Sequence, residues 1–210
     1  MPASTRFSRT GGDWLGKNLM LHDPGGTRTA LPAGVKATAV YGGANNKYRY
    51  RLDWTWDESL PVLMALMMNP SCASEQCGDR TVSWVFRWAK ARGYGKLIVV
   101  NSMAYRAADQ ARLAEVDDPY GPENRHHIFM AAKEASTIVC GYGKPKIKNF
   151  QKIGLLTAKM LSSIYVLYAW RIGKNKFGQH HPGRHLRAHH LKHDQRQYHG
   201  GCRERLHHNR

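Results

Sequence analysis

The sequence predicts an α/β fold: three layers, α/β/α, around a short and mostly parallel four-stranded sheet. Three observations carry this expectation. Four short apolar runs, rich in β-branched or aromatic residues, recur between residues 62 and 168. Segments with helical spacing separate them, and Asn, Gly or Pro close most of them. Strands that alternate with helical patterns indicate βαβ units, and a strand buried on both faces reads as a continuous apolar run.

Residues 1–37 are rich in Gly, Thr, Pro and Arg without a sustained apolar period, which predicts a basic, flexible N-terminal arm. A core domain is expected over 38–178. In Tyr48–Trp54, aromatic or apolar residues alternate with charged ones, the pattern of a half-buried strand. Asp57–Pro61 is a turn, and a buried strand over 62–68 runs into Asn69-Pro70-Ser71. Val82, Val85, Phe86 and Ala89 then recur at i, i+3, i+4 and i+7, a helix that stops at Gly93-Tyr94-Gly95. Trp84 and Trp88 form its adjacent stripe and read as core packing more readily than as platforms for bases.

A second buried strand, 97–101, again ends in Asn. The Pro119–Pro122 breaker precedes a helix over 123–136, then a third strand over 137–141. Pro145 opens a helix to about Leu161, followed by a fourth strand over 164–168. From 179 to 210 the pattern dissolves into a His/Arg-rich tail with few aliphatics, which predicts disorder.

The formal net charge is +17. It divides as +3 over residues 1–37 (5 basic, 2 acidic), +6 over 38–170 (17 and 11) and +8 over 171–210 (10 and 2). A mildly basic core with a strongly basic tail points to a polyanion, most economically DNA, because neutralised phosphates release counterions. No window approaches the length of apolar residues that spans a bilayer, so no membrane partner is expected. The N-terminus lacks the order of a secretory signal, and the four cysteines are too irregularly spaced for a disulfide scaffold. These features predict a cytoplasmic protein. Their spacing also lacks the tight pairs of an iron–sulfur site, and the tail histidines have no ligand spacing, so no metal or cofactor is expected.

The candidate chemistry lies where buried strands meet polar turns. Ligands of open α/β sheets bind beyond the carboxyl ends of the strands. Asn69, held by the stiff Pro70, is placed there either to orient water and read a base edge or simply to cap the next element. Asp79 reads as an electrostatic stabiliser or general base, or as the N-cap of the helix beginning near Thr81. Asn101 either lines the same crevice or closes a turn. Tyr105 and Arg106 suit stacking and phosphate contact on a splayed nucleotide, or a packed Tyr beside an ion-paired Arg. Cys72 beside Asn69 has no well-placed His in the core to serve as its base.

Taken in order, Asn69-Pro70-Ser71, Asp79, Thr81, Phe86, Ala89, Gly93-Tyr94, Val100-Asn101, Ala104-Tyr105-Arg106 and Pro119-Tyr120-Gly121-Pro122-Glu123-Asn124 resemble a family of bacterial and phage proteins catalogued as DUF1643. The resemblance covers roughly residues 48–182. That pattern in turn is distantly similar to the uracil-DNA glycosylase superfamily. There a buried strand ends in a Gly-x-Asn-Pro loop whose Asn positions the attacking water, and a late His-Pro loop closes over the flipped nucleotide. The similarity implies a catalytic role for Asn69 in the first loop, beside Pro70, and a substrate contact from His181 in the late loop. The residues' own chemistry adds Asp79 as a catalytic candidate and Ser71, Asn101, Tyr105 and Arg106 as candidate substrate contacts. Met67 stands where those enzymes usually have Gly, and His181-Pro182 continues as Gly183-Arg184.

The function so implied is a DNA-binding protein resembling a DNA glycosylase that excises a deaminated or modified base. Two other classes fit the same residues: a non-catalytic nucleic-acid-binding protein of phage or mobile-element origin, and an enzyme acting on free nucleotides.

Overall fold

The computed structural model describes residues 22–141, 148–163, 167–174 and 180–189. Its strands are β1 (Arg28–Ala30), β2 (Lys36–Gly42), β3 (Tyr48–Thr55), β4 (Val62–Met67), β5 (Cys77–Asp79), β6 (Lys96–Asn101), β7 (Thr137–Cys140), β8 (Leu167–Lys174) and β9 (His180–His189). Its α-helices are α1 (Arg80–Lys90), α2 (Asn124–Glu134) and α3 (Lys148–Ser162).

The fold is α/β, as expected, but the sheet is mixed. It has seven strands in the order β2-β3-β6-β4-β7-β8-β9. The pairs β6–β4, β4–β7 and β7–β8 are parallel, whereas β2–β3, β3–β6 and β8–β9 are antiparallel. The expectation of four mostly parallel strands therefore undercounts the sheet. It missed β2, whose Lys-Ala-Thr-Ala-Val pattern offers only small apolar residues to one face, and β9, whose histidines and arginines carry no strand signature.

Both ends of the core also shift. Residues 22–37, expected within a flexible arm, include β1, which pairs antiparallel with β5, and the start of β2. Residues 180–189, expected within a disordered tail, form β9 against β8. Residues 1–21 and 190–210, the Pro145 turn and the segment 164–166 lie outside the described residues.

Alternation of side chains across the sheet divides the core in two. Leu63 and Ala65 of β4, with Leu97 and Val99 of β6, pack against Val82, Val85, Phe86 and Ala89 of α1. Met64, Leu66, Ile98 and Val100 face the other way and pack against Ile128, Ala131 and Ala132 of α2 and Ala158 and Leu161 of α3. The apolar periodicity of 82–89 is thus the buried stripe of α1. Trp88 is buried in the same cluster and Trp84 packs on its edge, so both belong to the core.

One irregularity in β3 matters later. Val40 pairs with Arg51, but Tyr41 pairs with Arg49, leaving Tyr50 as an extra residue. This is a β-bulge. Consecutive side chains consequently reach the same helix: Arg51 bonds Glu134 at 2.6 and 2.7 Å, and Tyr50 stacks on His127 with ring centroids 5.1 Å apart. Arg49 is thereby turned to the α1 side, where its guanidinium donates to Ala73 O at 2.6 Å.

Candidate functional site at the rim of the sheet

Strand β4 leads into the site because it is flanked on both sides by parallel neighbours, with Met67 opposite Asn101 and Leu66 opposite Cys140. From β4 the chain passes through α1 to β6 on one side, whereas β7 continues through α3 to β8 on the other. The strand order reverses here, so the rim beyond β4 is the place where such sheets open a crevice.

The turn beyond β4 is clamped to the segment after β6. Ser102 N donates to Met67 O and Met103 N to Met68 O, both at 2.9 Å. Ala107 N donates to Pro70 O at 2.8 Å. Asn69 completes the clamp: its Nδ2 donates to Ala107 O at 2.7 Å and to Pro70 O at 3.1 Å. Two carbonyls facing the same terminal atom fix the amide orientation, since only the nitrogen has hydrogens to give. Both amide hydrogens are therefore consumed, and no described residue bonds Oδ1. Asn69 keeps an acceptor to hold a water, but it has no amide hydrogens left to read a base edge.

The other predicted residues fall in three places. Pro70 is buried under the clamp, and Ser71 lies against Gly26, where a β-carbon would come within 2.9 Å of Ser71 Oγ. Arg106, directly before Ala107, donates to His22 O at 3.0 Å and Asn46 O at 3.1 Å. Asn101 ends β6 beside Met67 and is 1% exposed, with both ends of its carboxamide unpartnered. Its position is held by Asn124, whose Nδ2 donates to Asn101 O at 2.9 Å.

Tyr105 is turned away from these groups. It is buried in an aromatic cluster, edge-on to Tyr48 at 6.1 Å and to His22 at 5.0 Å between centroids. It has no exposed face on which a base would stack in this arrangement. His181 lies in β9 opposite Gly173, in a strand and not in the late loop expected of it; its side chain is outside the described residues.

Asp79 caps α1. Its Oδ1 accepts from Val82 N at 2.7 Å, and its backbone is extended, as an N-cap requires. Substituting Asp79 by Ala is expected to cost about 1 kcal/mol in urea unfolding, while Asp79→Asn, also a good cap, should cost less than half of that. Loss of activity in Asp79→Asn at unchanged stability would return the residue to the chemistry.

Two groups that the sequence did not single out border the site. The segment Pro24-Gly25-Gly26 runs along it: Pro24 O accepts from Ala108 N at 3.0 Å, and both glycines have positive φ. Pro-Gly-Gly favours a turn, but within an arm read only as flexible it gives no sign of where that turn lies. Arg49 is the second; its alternation in β3 read as an outward charge until the bulge is counted. Cys72 is buried, and burial pushes its thiol up, which disfavours a thiolate nucleophile. Among the described residues no three His, Cys, Asp or Glu side chains are grouped to hold a metal ion. No helix among them is long and apolar enough to cross a membrane.

The fold and rim define an α/β protein with an Asn-Pro turn at the reversal point of a mixed sheet. The model of the DUF1643 family, a protein family of unknown function, matches residues 49–182, and the chain belongs to that family. No curated protein and no solved structure matches the chain.

Proposed function

We propose that this protein binds DNA and hydrolyses the N-glycosidic bond of a deaminated or modified base, in the manner of the uracil-DNA glycosylase superfamily. The observation that carries the proposal is the state of Asn69: donors spent on Ala107 O and Pro70 O, acceptor left over at the rim. Hydrolysis needs a water held against C1′ while the base departs as an anion from an oxocarbenium-like sugar. Such a centre is electrophilic enough that positioning the water matters more than deprotonating it, and a fixed carbonyl acceptor does this.

Base recognition moves from Asn69 to Asn101. Its carboxamide is buried with a free donor and a free acceptor, the complement of a pyrimidine or purine edge, and unsatisfied buried amides are costly unless a ligand meets them. Helices on both faces of the parallel strands support the three-layer, glycosylase-like reading of the fold. The basic composition supports a phosphate-rich partner.

The test is to incubate the full chain with duplexes and single strands carrying uracil, hypoxanthine or modified cytosines and to score abasic sites. Excision of at least one base is expected, falling about a hundredfold or more in Asn69→Ala, the usual scale for a lost positioning group. Absence of abasic sites on every substrate, or undiminished excision in Asn69→Ala, would remove the proposal.

A further inference from the structure

Strand β3 overruns the end of β6 and pairs with the chain beyond it. Arg49 N donates to Ala104 O and Arg106 N to Lys47 O, each at 2.9 Å, around an antiparallel bridge between Tyr48 and Tyr105. The two tyrosine rings meet on one face of this ribbon. Residues adjacent to them project to the opposite face, so Arg49 and Arg106 are diagonal neighbours there. Tyr41 joins them: it is the cross-strand partner of Arg49, and its ring centroid lies 5.2 Å from Arg106 Cζ.

Among the described residues neither guanidinium has a carboxylate within ion-pair distance. Arg49 donates to Ala73 O, and Arg106 to the carbonyls of His22 and Asn46. The Nε of each is buried and unpartnered, although Arg49 is only 1% exposed. Burial pulls the Arg49 pKa down to about 10, with Asp79 and Tyr41 opposing the shift and the nearby Arg106 charge adding to it, and it remains a cation at neutral pH. Asp79 acts on Arg49 and Asp23 on Arg106 only from beyond ion-pair distance, and the Tyr41 ring faces Arg106, so each cation still keeps a buried, unpartnered Nε–H, an expensive arrangement. An anion with several acceptor oxygens relieves both at once, and the planar guanidinium fork matches phosphate.

The place is specific. Arg106 directly precedes the residue that receives the Asn69 amide, and Arg49 is tied to Ala73 on the same loop as Ser71. We infer that Arg49 and Arg106, beside Tyr41, form a subsite for the phosphate of a nucleotide whose sugar and base extend toward Asn69. This rests on the nucleotide-binding half of the proposed function and not on its hydrolytic step. The same chemistry serves a phosphodiester of DNA or the phosphate of a free mononucleotide.

Arginine Nε–H signals of the full-length protein, followed by NMR, give a readout that needs no mutation. Titration with inorganic phosphate, deoxyuridine monophosphate and a short single-stranded oligonucleotide is expected to shift two buried Nε–H signals together. Arg106→Gln should weaken nucleotide affinity roughly ten- to hundredfold, the span of one charge-assisted hydrogen bond, and Arg106→Lys should recover part of it. Tighter, more salt-dependent binding of the oligonucleotide than of the mononucleotide assigns the subsite to DNA, and equal binding assigns it to free nucleotides. Unmoved signals with all three probes, or wild-type affinity in Arg106→Gln, would overturn the subsite. Base excision alongside wild-type affinity in Arg106→Gln rejects the subsite and leaves the glycosylase proposal standing. Shifted signals without excision do the reverse.

Discussion

Asn69→Asp is expected to destabilise the protein by about 2–4 kcal/mol at neutral pH, although it changes one NH2 for an oxygen. The carboxylate would face Ala107 O and Pro70 O, which now accept from the amide at 2.7 and 3.1 Å, with no hydrogen to offer either. Loss of a part-buried donor and the approach of a charge to two carbonyl oxygens each contribute about 1–2 kcal/mol, the lower part of the usual span for an unsatisfied group. The sign of the pH dependence follows. A carboxyl between carbonyls has its folded pKa raised above the ordinary value near 4, because only the protonated form can donate. The deficit relative to wild type is therefore present in full above the raised pKa and shrinks as the pH falls through it. Paired urea titrations across the acid range measure this. A deficit that stays constant or grows toward low pH would show that Asn69 does not serve as the clamp described.

Gly95→Ala is expected to cost about 3 kcal/mol or more, against about 1 kcal/mol for Gly93→Ala two residues earlier. Both glycines lie in the connection from α1 to β6, and each is needed for a different reason. Gly93 has φ +76° with nothing within 4 Å of a new β-carbon, so alanine there meets only backbone strain. At Gly95 a β-carbon would fall 1.8 Å from the carbonyl oxygen of Asp57. That contact is backbone to backbone, since Gly95 O accepts from Trp56 N at 2.9 Å and Asp57 N at 3.1 Å. The alanine can be accommodated only by parting the turn that starts β4 from the one that starts β6. Thermal and urea unfolding of the two variants decide the order, and equal losses would contradict it.

What the sequence made legible is what burial alone dictates. Leu63–Leu66, Leu97–Val100 and Ile138–Val139 are apolar without interruption because helices cover both faces of their strands, and the stripe Val82–Ala89 is apolar because α1 lies on one of them. Strand β2 was hidden because its inward positions Ala37 and Ala39 are small and bury little, so its alternation carries almost no hydrophobic contrast in the sequence. Strands β1 and β5 are three residues each, too short for any period, and exist through each other. The rim was half legible. The abrupt end of an apolar strand at Asn69 located it, but which hydrogens of that amide remain free depends on Ala107, 38 residues away. Asp79 was ambiguous for the opposite reason: capping and catalysis ask for the same side chain, and only the bond to Val82 N separates them. Arg49 was illegible because a strand's alternation assumes an unbroken pleat.

The extra residue at Tyr50 makes parity a property of this protein. Were the same residues to run as an unbroken pleat, Tyr48 and Tyr50 would turn toward α1 and Arg49 would share the α2 side with Arg51, whose guanidinium bonds Glu134. The positive charge beside Ala73 therefore depends on where the pleat of β3 is interrupted as much as on which residues the strand contains.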